Sequence, residues 1–206
     1  MEVYTTENEQ LDTVRRFFAE NGKALAVGVV LGIGALVGWR YWQNHQSTGM
    51  MEASQSYQQV SESLAGGKAE GVAAAEKFIQ ANGNSYGVLA ALELAKHFGG
   101  QNDFAKAEQQ LLLALGQAKE PNLQAMISLR LASVQLQEKK LDDALKTLDG
   151  VKGEGWVAMQ QDVRGDILLA KNDAKGAREA YQKGISSNAS PALQVLLRMK
   201  LNNLAS

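Results

Sequence analysis

The chain has 206 residues, a net charge of −1 and no cysteine. That charge leaves no basic field to hold nucleic acid. The missing thiols exclude a disulfide framework, a thiol nucleophile and a thiolate metal site. Only Pro121 and Pro191 interrupt a composition rich in alanine, leucine, glutamine and lysine. Such a composition favours helix throughout, and no run of alternating β-branched residues is long enough for a strand.

Residues 1–23 begin acidic, with Glu2, Glu7, Glu9 and Asp12. Leu11, Val14, Phe17 and Phe18 then fall near helical spacing, with Glu9, Asp12, Arg15 and Arg16 elsewhere on the wheel. This predicts a short helix at a membrane surface that continues into the next segment. A cytoplasmic partner site on it is a second reading.

From Ala24 to Trp39 no charge appears between Lys23 and Arg40. Carried on to Trp42, the run is about 19 residues and spans about 28 Å as a helix, enough to cross a bilayer core. Trp39, Tyr41 and Trp42 form an aromatic belt at one end. A cleaved signal peptide needs a short basic start and a small-residue cleavage site. The start here is long and acidic, and Arg40-Tyr41-Trp42-Gln43-Asn44-His45 offers no such site. The run is too long and too uniformly apolar for a buried core helix, so 24–42 reads as an uncleaved transmembrane anchor. Arg15, Arg16 and Lys23 closely precede the span and only Arg40 closely follows it. The positive-inside rule then places the N-terminus in the cytoplasm and the C-terminal part outside, which is the periplasm in a Gram-negative host. Gly28 and Gly32, and Gly34 and Gly38, are each four apart. Such pairs let a second membrane helix approach closely, but glycine is also common in membrane helices, and both readings stay open.

Residues 43–51 read as a short polar linker, and 52–206 as one soluble domain. Its first candidate helices are Glu52 to Leu64 and Val72 to Ala81, split by Gly66-Gly67. This pair reads as a degenerate first repeat or an N-terminal cap. A repeat follows. Leu94-Ala95, Phe98, Ala107, Leu111 and Ala114 recur as Leu131-Ala132, Gln135, Ala144, Leu148 and Val151. They recur again as Arg164-Gly165, Leu168, Ala177, Tyr181 and Gly184. The periods are about 37 and about 33 residues, near the tetratricopeptide value of about 34. In each unit a small residue on the first helix (Ala95, Ala132, Gly165) lets the second helix pack close. Asn102 or Asp103, and Asn172 or Asp173, are suitable N-caps. Ser190-Pro191 opens a last helix, Ala192 to Leu204, with Leu193, Leu196, Leu197 and Leu201 on one side. It reads as the capping helix such arrays need. The predicted fold is all-α: one N-terminal transmembrane helix, then a tetratricopeptide-like α-solenoid with a C-terminal capping helix.

Catalytic chemistry is not visible. His45 and His97 lie on different segments, without carboxylates at metal-ligand spacing. Gly153-Glu154-Gly155-Trp156 is a loop between repeats and lacks the lysine of a phosphate cradle. Asp142-Asp143 and the pair Asp162 and Asp166 read as a solvated face. No nucleophile stands with a base. The expectation is a protein that is not an enzyme and carries no cofactor, metal or nucleic acid. What remains is a binding surface. Tetratricopeptide arrays line a concave groove with the first helix of each pair. That pattern directs Leu89, Leu92, Met126, Leu129, Leu136, Met159 and Leu169 toward the groove, although several could instead pack between helices. An apolar, methionine-containing groove adapts to varied chains. The carboxylate-clamp version of the fold places a lysine where Leu92 stands, so recognition of acidic C-terminal tails is not supported.

The anchor segment Arg16-Phe17-Phe18-Ala19-Glu20-Asn21-Gly22-Lys23-Ala24-Leu25-Ala26-Val27-Gly28 closely resembles the YfgM family, ancillary subunits of the bacterial SecYEG translocon. Gly38-Trp39-Arg40-Tyr41-Trp42, Ala74-Ala75-Glu76-Lys77-Phe78, Lys152-Gly153-Glu154-Gly155-Trp156 and Lys200-Leu201-Asn202-Asn203-Leu204 continue the likeness. The resemblance implies a single-pass type II inner-membrane protein with a periplasmic repeat domain. It implies association with the SecYEG translocon and with a PpiD-type periplasmic isomerase, and help in handing emerging non-native polypeptides to periplasmic chaperones. On the cytoplasmic side it implies restraint of the stress regulator RcsB. The competing expectation is a pure scaffold, whose repeat domain docks one folded envelope partner and touches no client.

Overall fold

A computed structural model describes residues 7–67 and 69–204, with side chains described over 14–45, 48–67 and 70–204. The side chains of Glu9, Leu11 and Asp12, and residues 1–6 with Glu2, lie outside that description. Nine α-helices run through the described residues, and no strand is found among them. In chain order they are α1 (Glu7–Ala65), α2 (Ala69–Ala81), α3 (Ser85–Gly100), α4 (Phe104–Gln117), α5 (Pro121–Gln137), α6 (Leu141–Asp149), α7 (Val157–Ala170), α8 (Ala174–Ser186) and α9 (Pro191–Asn203). The chain divides into two compact units, Met1–Glu52 and Ala53–Ser206.

The first unit is helical over its described length. Within α1 lies one segment long and apolar enough to cross a membrane, with none of its most apolar window buried by protein. Leu36 is 70% exposed and Val30 68%, as befits side chains whose solvent is lipid. Trp39 and Trp42 lie with ring centroids 5.4 Å apart. Residues 43–51, expected as a linker, are helical. Gly49 alone costs too little to end a helix, about 1 kcal/mol, and Thr48 turns its hydroxyl back to donate to the Asn44 carbonyl at 2.9 Å. Polarity marks the end of the span there, not the end of the helix.

The second unit is a stack of antiparallel helix pairs, each helix packing most heavily on its sequence neighbour. The end of α1 and α2 form the first pair. Tyr57 lies 6.4 Å from Phe78 and 5.7 Å from Tyr86 between ring centroids, and its hydroxyl donates to Glu93 Oε1 at 2.5 Å. The pairs α3–α4, α5–α6 and α7–α8 then carry the repeat. Ala107, Ala144 and Ala177 are fully buried, each facing the interior one turn before Leu111, Leu148 or Tyr181, which are also buried. Three successive apolar clusters, centred on Leu94 and Leu131, on Leu148 and Ile167, and on Tyr181 and Leu197, replace a single core. This is the short-range packing of a solenoid.

The same turn closes the first helix of each of the three repeat pairs, α3, α5 and α7. The Asp103 N–H reaches back to the Phe98 carbonyl, Lys140 to Gln135 and Asp173 to Leu168, each at 2.9 Å. The intervening Asn102, Lys139 and Asn172 are left-handed, with φ of 60°, 60° and 62°. This is a Schellman motif repeated three times. It decides between the candidate caps: each asparagine takes the left-handed position, and Asp103 and Asp173 cap the next helix by accepting from Lys106 N and Gly176 N.

The last helix starts as expected, with Ser190 accepting from Leu193 N and Pro191 in the first turn. Its apolar stripe is rotated from the expected one. Leu197 is fully buried, and Leu193, Leu201 and Leu204 pack around it. Leu196 instead points outward with Val195 and Met199, because α7 and α8 cover only one side of α9. The cap therefore ends the array with a partly apolar outer face.

Candidate functional site

The first helices of the pairs build a groove of about 650 Å³. Leu92, Ala95, Lys96 and Gly99 of α3 line one wall, Leu129, Arg130, Ser133 and Val134 of α5 the centre, and Met159, Asp162 and Val163 of α7 the far wall. Each helix contributes residues one turn apart, since positions i and i+4 share a helix face. Gly99 and Ala95 keep the α3 wall low.

Of the seven residues expected at the groove, three meet there: Leu92, Leu129 and Met159. Met159 is 40% exposed and offers the most free surface of the three. Met126 packs against the first core cluster and Leu136 against the second, so both serve helix packing. Leu89 and Leu169 are exposed but lie outside the groove lining. Sequence reasoning missed Lys96, Ser133 and Val163, although each stands four residues after a groove residue that it found. It also missed Arg130, which rotation alone places at the rim.

A smaller depression of about 400 Å³ lies between the end of α1 and α3, lined by Ser61, Leu64, Glu93, Lys96 and His97 among others. Lys96 borders both. His97 is a helix residue, its ring 5.8 Å from Phe98 and its Nε2 3.1 Å from Gln101 Nε2.

The acids of the last repeat differ from expectation. Asp142 and Asp143 are exposed, with Asp142 paired to Lys171. Asp162 and Asp166 are half-buried and hold Lys200 of α9: Nζ lies 2.6 Å from Asp162 Oδ1 and 2.7 Å from Asp166 Oδ2. Tyr181 adds a hydroxyl donated to Asp166 at 2.7 Å. Burial pushes the Asp162 carboxyl up, against the pull of Lys200. Burial opposes the Lys200 charge, but hydrogen bonds to both aspartates override it and raise its pKa. The Tyr181 phenol is raised by burial and then by Asp166. This cluster rivets α7, α8 and α9 together. A solvated acidic face is the commoner outcome for helical repeats; here a lysine on the capping helix reverses it.

Among the described residues no group of histidine and acidic side chains is placed to hold a metal ion. At Gly28, Gly32, Gly34 and Gly38 the space beside the backbone is open, with nothing within 4 Å of where a Cβ would stand.

These features define a class: an α-helical repeat protein with a candidate membrane span, whose α3, α5 and α7 together form an open groove. The family model described as a tetratricopeptide repeat-like domain matches residues 15–206. A protein named ancillary SecYEG translocon subunit from Escherichia coli (strain K12) is 52% identical over 205 residues, covering 100% of both chains. Proteins of the same name from Haemophilus influenzae and Aggregatibacter actinomycetemcomitans are 38% and 39% identical, each covering 98% of this chain and 99% of their own length. No solved structure matches. The chain belongs to the YfgM family, the ancillary SecYEG translocon subunits with a tetratricopeptide-like fold.

Proposed function

We propose that this chain is a membrane-anchored accessory of the SecYEG translocon, whose groove receives polypeptides emerging on the periplasmic side. The names of its full-length relatives support the translocon association. The single observation that carries the receptor role is the groove itself, floored by the nearly buried Leu92 and Leu129 and edged by the exposed Met159. An open apolar trough with a flexible thioether suits chains of varied sequence. The basic residues before the span support a repeat domain on the periplasmic side of the inner membrane, where secreted chains appear. A PpiD-type isomerase and downstream chaperones take the client on, and the catalytic step belongs to them. The open glycine faces of the span contact another membrane helix. The segment before it, residues 1–23, is the site through which RcsB is restrained.

Photo-cross-linkers at Leu129 and Met159 in the full chain test the receptor role in cells. Adducts with a stalled secretory chain are expected. Adducts confined to a folded partner would replace this reading with the scaffold one. The exposed Val195, Leu196 and Met199 of α9 favour the scaffold as the second reading, with the isomerase as occupant.

A further inference from the structure

The charges around the groove are unequal. Lys96 and Arg130 line it, and neither has an ion pair or hydrogen bond among the described residues. Asp162 is the one acid in the lining, and it shares Lys200 with Asp166, at 2.6 and 2.7 Å. An apolar floor therefore lies beside two unpaired cations on α3 and α5, while the acid on α7 is already engaged by α9 and the groove keeps a net positive lining. The chain as a whole is slightly acidic, at −1, so this local excess does not reflect a basic protein.

We propose that the groove selects extended polypeptide segments in which an aspartate or glutamate lies beside large apolar residues. The apolar side chains settle over Leu92, Leu129 and Met159, and the carboxylate is met by Lys96 and Arg130. An arginine at the rim can present two parallel donors to one carboxylate, and a lysine on the next helix adds charge from the other side. Basic apolar segments are turned away by the same two cations, so the groove discriminates by repulsion as well as attraction. The occupant lies along the groove by its side chains and needs no free C-terminus. This inference rests on the groove being the receptor site.

The test uses the full chain in nanodiscs of zwitterionic lipid and short fluorescent peptides of alternating leucine and serine. One central position carries glutamate, glutamine or lysine. Fluorescence anisotropy should show the glutamate peptide binding about three- to tenfold tighter than the glutamine peptide, with the gap closing as salt rises. The double variant Lys96→Glu with Arg130→Glu should reverse the order and favour the lysine peptide. If all three peptides bind alike and Met159→Arg weakens them all, the groove is the receptor but the charge selection is wrong. If no peptide binds, or Met159→Arg changes nothing, both the selection and the receptor role fall.

Discussion

Gly165 and Tyr181 are shaped for each other. A Cβ built on Gly165 would stand 2.2 Å from Tyr181 Cε1 and 2.5 Å from Cδ1, so the tyrosine ring occupies the room that the glycine leaves. The preceding repeats solve the same contact with Ala132 and Leu148, and with Ala95 and Leu111. Two size combinations thus fill one position of the array. The larger ring also reaches Asp166 with its hydroxyl.

Gly165→Ala should therefore destabilise the domain by about 1–3 kcal/mol through overpacking, despite its better helix propensity. Tyr181→Leu alone opens a cavity and takes one hydrogen bond from Asp166, which keeps Lys200. The double variant restores the alanine–leucine combination of the other repeats and should cost less than the two single changes summed. Denaturant unfolding of the full chain, followed by circular dichroism, measures all three. Strict additivity would show that the two residues do not share this space.

Lys200→Met should cost about 1–2 kcal/mol, because it leaves Asp162 and Asp166 half-buried without their cation while solvent still reaches part of the site. The pH dependence has one sign. Lys200 and Tyr181 both have folded pKa values above their ordinary ones. Their contribution is complete below the unfolded values, about 10 for both groups, and is lost as pH climbs through the folded ones. Stability should fall on the alkaline side, and less steeply in Lys200→Met. Unfolding midpoints measured on either side of about pH 10 check the difference.

Tyr57 is pushed up to about 12, by burial first and then by the Glu93 carboxylate that accepts its hydroxyl proton. Tyr57 and Tyr181 should both ionise above the ordinary phenol range in an ultraviolet titration of the folded protein. Tyr57→Phe should remove one late-titrating group.

Lys139 holds the left-handed position that asparagine holds in the two sister turns. A lysine pays a steric cost there of about 1 kcal/mol that glycine avoids. Lys139→Gly should raise the unfolding free energy by about 0.5–1 kcal/mol without altering peptide binding, since Lys139 lies outside the groove lining.

Gln135 stands where the sister repeats carry Phe98 and Leu168, and repeat averaging would replace it with leucine. It is buried, donating to Glu108 Oε1 at 2.9 Å and accepting from Thr147 Oγ1 at 2.8 Å. Gln135→Leu should cost about 1–3 kcal/mol, because Thr147 loses its acceptor and Glu108 loses one of its two donors, keeping Lys140. Thermal melts of this variant beside Gln135→Glu separate lost hydrogen bonding from lost volume.

The small residues Ala95, Ala132 and Gly165 and the buried alanines opposite them were legible in the sequence, because each is a local rule repeated at a fixed period; the cap sites were legible only as asparagine or aspartate, and the left-handed turn assigned the aspartates. Leu196 was misplaced, since a leucine at helical spacing does not say which side its neighbours cover. Gln135 carried no sign of its buried network, whose partners come from α4 and α6. At the groove, periodicity found Leu92, Leu129 and Met159 but passed over Lys96 and Arg130, which a hydrophobic pattern ignores.

What the sequence determined by itself is set by short-range physics: an apolar run long enough for a bilayer, helix propensity with its caps, and a repeat whose units touch only their neighbours. The fold and the expected anchor follow from those, whereas the family rests on likeness to relatives along the whole chain. Only the tertiary structure decided which side chains are free. Met126 and Leu136 pack, partly buried, against the core clusters, Asp162 and Asp166 close on Lys200, and Lys96 and Arg130 are left facing the groove without partners. Those outcomes depend on the rotation of each helix against helices far along the chain, and a small change in rotation exchanges a buried side chain for an exposed one.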